Sequence, residues 1–179
     1  MRKRTIASEG IVIKTVNFKE ADKIVTLLSP TLGKISLLAK SVRRIKSKKR
    51  SSLSLFSKIK FQAITGYSLP ILTDTSIVRR NEYLENKLGK LTLAYYLVEV
   101  VDKIVPDGQV DSGIYKLLDS YLNLIDTQKN LKTVRKGFVR EILENLGFID
   151  NQDQDLDLVL STVVEKRINS FSVGKKMLE

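Results

Sequence analysis

In the first 80 residues, apolar positions fall in short runs that are separated by turn-forming residues. The segment Leu53–Thr65 shows the clearest alternation, with Ile59, Phe61 and Ala63 on one side and mainly polar residues on the other. Because successive side chains of a strand point to opposite faces, we predict that these three lie on a buried face. The five predicted strands are Gly10–Val16, Lys23–Leu28, Lys34–Ala39, Leu53–Thr65 and Leu69–Val78.

Five short strands with turns between them favour a small closed barrel. The oligonucleotide-binding (OB) fold is the five-stranded form of such a barrel. An SH3-like barrel agrees nearly as well with the number of strands alone, so the pattern leaves both open.

From Tyr83 on, apolar residues recur at steps of three and four, which is the period of a helix with one buried face. Pro106 is predicted to end the first helix, Asp111 or Ser112 to cap the second, and a third is predicted from about Leu131. The three apolar stripes are Leu91, Ala94, Tyr95, Val98, Val101 and Val105, then Ile114, Leu117, Leu118, Tyr121, Leu122 and Ile125, then Val134, Phe138, Ile142 and Leu146.

Gly147 is a natural residue to follow the third helix, and Leu158–Ile168 is predicted as the last helix. Short links between helices favour antiparallel neighbours in a compact bundle. The sequence therefore predicts an α+β protein with two domains, an OB barrel over residues 1–80 and a helical bundle over residues 81–179.

The net charge of +11 is placed unevenly along the chain. Residues 1–80 carry 18 Lys and Arg against 4 Asp and Glu, a net +14, whereas the remainder carries a net −3. In the segment Lys40–Arg50, seven of eleven residues are basic. This asymmetry indicates a half that binds a polyanion, because Lys and Arg side chains attract phosphate chains through charge.

A basic loop between two barrel strands can follow a nucleic-acid backbone without reading bases. The alternative is a solvated loop that serves solubility, but a net +14 over the surrounding residues exceeds what solubility requires. An anionic membrane would attract the same charge, yet no neighbouring amphipathic helix with exposed Phe or Leu supports that partner. We predict nucleic-acid contacts by Arg43, Arg44, Lys46, Lys48, Lys49 and Arg50, with Lys14, Lys23, Lys34, Lys58 and Lys60 on flanking strands.

Aromatic rings could add base stacking to these charges. Phe61 is predicted to be core, because it shares a face with Ile59 and Ala63, and Phe56 is predicted to pack beneath the basic loop. Phe18 and Tyr67 sit beside turn residues and could be exposed. With so few rings, we expect charge to outweigh stacking.

The chain lacks His and Cys, which removes the usual zinc sites, thiol chemistry and the commonest general base. No phosphate-binding glycine loop or paired carboxylates in an apolar stretch are evident. We therefore expect no enzymatic activity, no cofactor, no metal and no small-molecule substrate. No apolar run approaches about 20 residues and no secretory signal is evident, so we expect a cytoplasmic, nucleoid-associated protein without membrane contact.

The third helix indicates a second binding surface. Arg135, Lys136 and Arg140 lie on the helix that carries Val134 and Phe138. A basic rim beside an apolar groove could bind an acidic, apolar peptide tail. The alternative is an ordinary amphipathic helix whose charges face water.

Stretches spread over nearly the whole chain, in consistent order, match the pattern of one known family. The most specific is Glu20–Lys40, EADKIVTLLSPTLGKISLLAK. The others are Glu9–Lys14, Ser41–Arg44 with its basic continuation, Ser54–Phe56, Leu93–Val105, Phe138–Phe148 and the closing NSFSVGKKML. Together they resemble the RecO family of bacterial recombination mediators.

The resemblance implies an N-terminal OB fold, a helical C-terminal domain and no enzymatic turnover. It also implies binding to single- and double-stranded DNA, annealing of complementary strands, and help in loading RecA onto strands covered by single-strand binding protein. The implied partners are RecR and the acidic C-terminal tail of single-strand binding protein. The family's DNA-contacting surface corresponds to Lys34, Lys40, Arg43, Arg44 and the run to Arg50, and its tail-binding pocket lies near Arg135.

One departure from the family pattern follows the helix that ends in LGF. Many members carry a Cys-rich zinc module there, whereas this chain continues as IDNQDQDLDL without Cys. The chain is also shorter than is usual for the family. We infer that the module is deleted and expect no structural zinc, which leaves open whether the contacts with RecR and single-strand binding protein are kept.

Two alternative functions remain open at this point. One is a generic OB-fold binder of single-stranded RNA or DNA, since charge alone does not distinguish the two. The other is a protein-interaction adaptor whose charge meets an acidic partner, which predicts negligible DNA binding at physiological salt. A nuclease that uses carboxylates is the least favoured hypothesis, because nothing in the sequence places Asp22 and Asp74 together.

Overall fold

The computed structural model describes residues 4–44, 47, 49–66, 68–81, 87–149 and 155–164. These residues form two compact units. The first consists of the residues up to Arg80 together with Asp107–Ser112, and it contains the strands. The second consists of Asn81–Pro106 and the residues from Gly113 on, and it is helical.

Five strands of the first unit form a closed barrel. They are β1 (Thr5–Phe18), β2 (Asp22–Ser29), β3 (Gly33–Ala39), β4 (Lys58–Ile64) and β5 (Ile71–Arg79). Around the barrel the order is β1-β2-β3-β5-β4, with antiparallel pairing except between β3 and β5. The α+β class and the OB fold predicted from the sequence are confirmed.

The barrel core explains the alternation in the fourth predicted strand. Ile59, Phe61 and Ala63 are all buried, as predicted, because every second residue of β4 faces inward. The core cluster to which they belong also contains Val12, Val25, Leu27, Leu37, Ala39, Val42, Leu53 and Leu72. Phe18 is not part of this cluster.

Two strand boundaries differ from the prediction by more than two residues. β1 begins at Thr5 instead of Gly10. Its first five residues pair with β4, but three of them are polar, so the apolar pattern there is weak. The predicted strand from Leu53 is wrong before Lys58. There the chain is a loop in which Phe56 has φ of +67° and its backbone N–H donates to the Val12 carbonyl at 2.8 Å. Leu53 and Phe56 are both buried within that loop. Because buried loop residues are apolar, as buried strand residues are, the sequence pattern did not distinguish this loop from a strand.

Four helices follow. They are α1 (Leu88–Ile104), α2 (Ser112–Thr127), α3 (Leu131–Asn145) and α4 (Leu156–Val163). The predicted stripe of α2 is confirmed, since all six of its residues are buried. The stripe of α1 is wrong in part: Tyr95 is 42% exposed, whereas Leu93, Leu97 and Val100 are fully buried. A helix that is apolar on nearly every side is buried by several neighbours, so periodicity cannot select its buried face.

The ends of the last two helices follow local capping rules. After α3, Gly147 has φ of +74°, its N–H donates to the Glu144 carbonyl, and the Phe148 N–H donates to the Leu143 carbonyl. This pair of bonds is the Schellman motif that the predicted Gly147 favours. Asp155 caps α4, which begins two residues before its predicted start. The predicted end of α4 at Ile168 lies outside the described residues.

Candidate nucleic-acid interface

The start of the basic segment is fixed to the turn between β1 and β2. The Arg43 guanidinium donates to the carbonyls of Glu20 (3.0 Å) and Lys19 (3.4 Å), and the Arg43 backbone N–H donates to the Ala21 carbonyl at 3.0 Å. The Ser41 N–H donates to Asp22 Oδ1 at 2.7 Å. The hairpin tip and the beginning of the basic segment therefore form one cross-linked structure.

The end of the basic segment is fixed to β5. The Lys49 ammonium donates to the Leu72 carbonyl at 3.0 Å. The Ser52 hydroxyl bonds with Thr75 Oγ1 at 2.6 Å and donates to the Lys49 carbonyl at 2.9 Å. Lys49 thus serves as an anchor of the segment as well as a charge, a role that the sequence did not reveal.

The predicted contact residues separate into three groups. Lys34 and Lys49 are engaged within the barrel, and Lys46 and Lys48 lie outside the described residues. Of the other predicted cations, Lys23 and Lys58 are half-buried, and the exposed ones are Lys14, Lys40, Arg43, Arg44, Arg50 and Lys60.

Lys34 is not the accessible cation that the sequence suggested. Its side chain is only 10% exposed, and its ammonium lies 3.2 Å from Asp107 Oδ1. Its carbonyl accepts the Gly108 N–H at 2.8 Å. The burial arises because Asp107–Ser112 belongs to the barrel unit although it is distant in sequence. A phosphate at this ammonium would compete with the Asp107 carboxylate.

The outer face of β1, β2 and β3 carries apolar residues beside these charges. Lys14 pairs with Thr26, which pairs with Ser36, and the two hydroxyls lie 3.0 Å apart on the outer face. Two residues further along β1, Val16 shares this face and is 48% exposed. Phe18 follows at the end of the strand and is 37% exposed, as its position beside a turn had suggested.

Lys19 is a member of this surface that sequence reasoning missed. It lies at the hairpin tip with φ of +51°, and its Nζ is 5.5 Å from the centroid of the Phe18 ring. The signal available in the sequence was a basic residue directly after an aromatic one at a turn. Tyr67, the other aromatic candidate, lies outside the described residues.

The helical unit holds a second basic site, around Arg135. Its guanidinium makes two bonds of 2.8 Å to the Asp157 carboxylate and lies 5.4 Å from the centre of the Tyr96 ring. Burial raises the pKa of Tyr96, although the bond from Arg135 to its hydroxyl acts in the opposite direction. The site is thus an ordered cluster in which an internal carboxylate already occupies the arginine.

A surface cavity of about 320 Å³ adjoins this cluster. Arg135, Lys136 and Arg140 contribute the basic side chains of its lining. Val139 and Leu156 contribute apolar surface, and Asp155 and Asp157 contribute carboxylates. The three residues predicted as a basic rim are therefore brought together beside apolar side chains.

The described residues contain no group of three or more His, Cys, Asp or Glu side chains arranged to hold a metal ion. Within the same part of the chain, none of the helices combines the length and apolar character needed to cross a bilayer.

An OB barrel with a basic loop tied to its hairpin tip, followed by a helical bundle, defines a class of OB-fold proteins suited to polyanionic partners. Comparison with known families identifies the particular one. The N-terminal model of recombination protein O matches residues 1–81, and the C-terminal model of the same protein matches residues 85–156. The chain belongs to the recombination protein O (RecO) family.

Individual relatives agree with this assignment. The DNA repair protein RecO of Symbiobacterium thermophilum is 33% identical over 78% of this chain and 56% of its own length. That of Moorella thermoacetica is 33% identical over 78% of this chain and 52% of its own. That of Clostridium kluyveri is 30% identical over 92% of this chain and 62% of its own. The chain thus spans between half and two thirds of the length of these relatives.

Proposed function

We propose that this protein binds DNA through the basic surface of its barrel and anneals complementary strands during recombinational repair, without enzymatic turnover. The proposal includes help in loading RecA onto strands coated with single-strand binding protein, in the cytoplasm at the nucleoid. The observation that carries it is the set of exposed cations around a hairpin tip that is cross-linked to the basic segment.

The arrangement of these cations suits strand annealing. Two complementary strands repel each other through their phosphates, and a surface of fixed positive charge lowers that repulsion by taking the place of condensed counterions. Contacts to the backbone leave the base edges free to pair. The step breaks no covalent bond, so it needs no general base or nucleophile.

The cavity beside Arg135, Lys136 and Arg140 supports a second part of the proposal. A peptide with acidic and apolar residues, such as the C-terminal tail of single-strand binding protein, could place its carboxylates on the basic rim. Its apolar residues would then contact Val139 and Leu156. RecR is the further partner that the family suggests.

The test is annealing of two complementary single strands, each precoated with bacterial single-strand binding protein. We expect this protein to accelerate duplex formation and the variant Lys40→Ala/Arg44→Ala/Arg50→Ala to lose most of that acceleration. These three side chains are exposed, so the variant is expected to fold normally. Arg43 is left unchanged because it holds the hairpin tip.

The matched control is Lys116→Ala/Lys129→Ala/Lys132→Ala, which removes the same charge from exposed positions of the helical unit. Its annealing rate should stay close to that of the unmodified protein. Binding to naked DNA without any acceleration would leave a generic OB-fold binder. Equal affinity for RNA would favour the same alternative, and negligible binding at physiological salt would favour a protein adaptor.

A further inference from the structure

We propose that the ring of Phe18 is a stacking platform for one base of single-stranded DNA and gives the barrel surface its preference for single strands over duplex. This inference rests on the proposed DNA binding and adds to it the contact that distinguishes the two forms of DNA.

Phe18 is not a component of the barrel core. The core cluster lies on the inner face of the strands. Phe18 lies at the last position of β1, opposite Asp22, and the residue is 37% exposed. Val16 extends the same outer face, and Ile24, its cross-strand partner, pairs in turn with Leu38. An aromatic ring at the edge of an apolar strip is thus offered to solvent.

The backbone that carries the ring is held in place before any ligand binds. Asp22 accepts the Ser41 N–H, and the Arg43 guanidinium donates to the Glu20 carbonyl. These bonds fix the turn that immediately follows Phe18. A ring on a fixed backbone loses little conformational entropy when a base stacks on it, so more of the stacking energy contributes to affinity.

One cation lies beside the ring, and further cations follow in the segment that is bound to the hairpin tip. The Lys19 ammonium lies 5.5 Å from the ring centroid. Lys40 lies between two residues that contact the start of β2. Ala39, before it, pairs with Lys23, and Ser41, after it, donates its N–H to Asp22. Arg44 continues from Arg43 and is exposed. A strand whose phosphates follow these cations would carry its bases past the ring.

Stacking on one exposed ring separates single strands from duplex on physical grounds. An unpaired base has a free π-face, and stacking on an aromatic side chain is tolerant of sequence. In a duplex the faces are already covered by neighbouring base pairs, so the ring adds little. Charge alone binds both forms.

The absence of tryptophan from the chain allows a direct test. The variant Phe18→Trp carries a single tryptophan at the proposed platform, and Phe148→Trp places one at a 50% exposed phenylalanine of the helical unit. We expect an oligothymidylate to quench the fluorescence of Phe18→Trp strongly, a duplex of equal length to quench it weakly, and neither to quench Phe148→Trp strongly. Equal quenching at the two positions by the oligothymidylate would overturn the proposal.

Affinities give the second test. Phe18→Ala should bind single strands roughly 5- to 150-fold more weakly, the range expected for one lost base stack, with duplex affinity nearly unchanged. Phe18→Leu should also bind single strands weakly, because leucine keeps the bulk of the side chain but lacks the aromatic ring. Phe18→Tyr keeps the ring and should retain single-strand affinity. Val78→Ala, at an exposed valine of β5, is the matched control and should bind normally.

The outcomes separate this inference from the proposed function. A DNA-binding protein in which Phe18→Ala and Phe18→Leu keep full single-strand affinity would refute the platform alone. Equal weakening of single-strand and duplex binding would assign Phe18 a merely structural role and also refute it. Failure of the unmodified protein to bind DNA would overturn the proposed function and the platform together.

Discussion

Gly33 lies so close to Gln109 that a Cβ atom built on it would be 2.1 Å from the Gln109 carbonyl oxygen. Gly33 also has φ of +67°, a backbone conformation that is unfavourable for residues with a Cβ atom. Gly33 begins β3, and Gln109 lies in the segment Asp107–Ser112 that belongs to the barrel unit. The absence of a side chain at Gly33 is therefore what lets this segment contact the barrel.

We predict that Gly33→Ala lowers the free energy of unfolding by more than about 3 kcal/mol, because it combines backbone strain with a clash against another backbone. Two controls separate these causes in urea denaturation. Gly108→Ala has the same strain (φ of +76°) but open space around it, and should lose about 1–2 kcal/mol. Gly66→Ala has neither feature and should change little. Equal effects at Gly33 and Gly108 would contradict the close approach.

The salt dependence of DNA affinity should show how many exposed cations contact phosphates. If Lys14, Lys40, Arg43, Arg44 and Arg50, which are all exposed, each contact a phosphate, the log–log slope for single strands should be about −3.5, from about −0.7 per contact. Arg44→Ala/Arg50→Ala should flatten the slope by about 1.4. The contrasting variant is Lys34→Ala, which removes a buried, paired ammonium. It should leave the slope nearly unchanged but lower stability by about 1–2 kcal/mol. A flatter slope for Lys34→Ala would place that ammonium in the interface after all.

This contrast shows where sequence reasoning reached its limit. The strand pattern placed Ile59, Phe61 and Ala63 in the core correctly, because burial on alternate residues is a local property. Lys34 could not be recognised as buried, because the segment that covers it follows more than seventy positions later, at Asp107. Long-range packing of this kind leaves no trace in the local pattern.

The basic loop shows the same limit in a different form. Its charge predicted a polyanion surface, but charge does not reveal which side chains the fold itself uses. Arg43 and Lys49 both donate to backbone carbonyls of other elements, at Glu20 and Leu72. Such bonds depend on which strand ends meet, and the barrel topology alone decides that.

Alkaline pH should weaken the helical unit through Tyr121. Its hydroxyl donates to Glu141 Oε1 at 2.6 Å, and burial, reinforced by this carboxylate, raises the pKa of Tyr121 above its usual value of about 10. A raised pKa in the folded state means that folding favours the protonated phenol. This stabilisation is complete below pH about 10 and is lost as pH rises further.

We therefore predict that the unmodified protein loses more stability than Tyr121→Phe does as the pH rises above about 10, since the variant has no phenol proton to lose. Urea denaturation at several pH values measures the difference. Tyr95→Phe, at an exposed tyrosine, is the control and should follow the unmodified protein. Parallel pH profiles for Tyr121→Phe and the unmodified protein would show that this phenol does not determine the alkaline loss.

The pairing of Arg135 with Asp157 should limit the affinity of the helical unit for acidic peptides. Any peptide carboxylate that uses the Arg135 guanidinium must displace Asp157, which holds it by two bonds of 2.8 Å. We predict that Asp157→Asn strengthens binding of an acidic, apolar peptide several-fold. It should also lower thermal stability, because α4 loses an ion pair to α3. Fluorescence anisotropy of a labelled peptide measures the first effect and thermal unfolding the second.

Two further variants make this prediction specific. Glu144→Gln removes an equal charge from an exposed position on α3 and should change peptide affinity little. Arg135→Ala should weaken binding whether or not Asp157 is present, because the peptide then loses its main cation. If Asp157→Asn and Glu144→Gln strengthen binding equally, general charge explains the gain and Asp157 is not a competitor. If Asp157→Asn weakens binding, the ion pair instead shapes the cavity that the peptide enters.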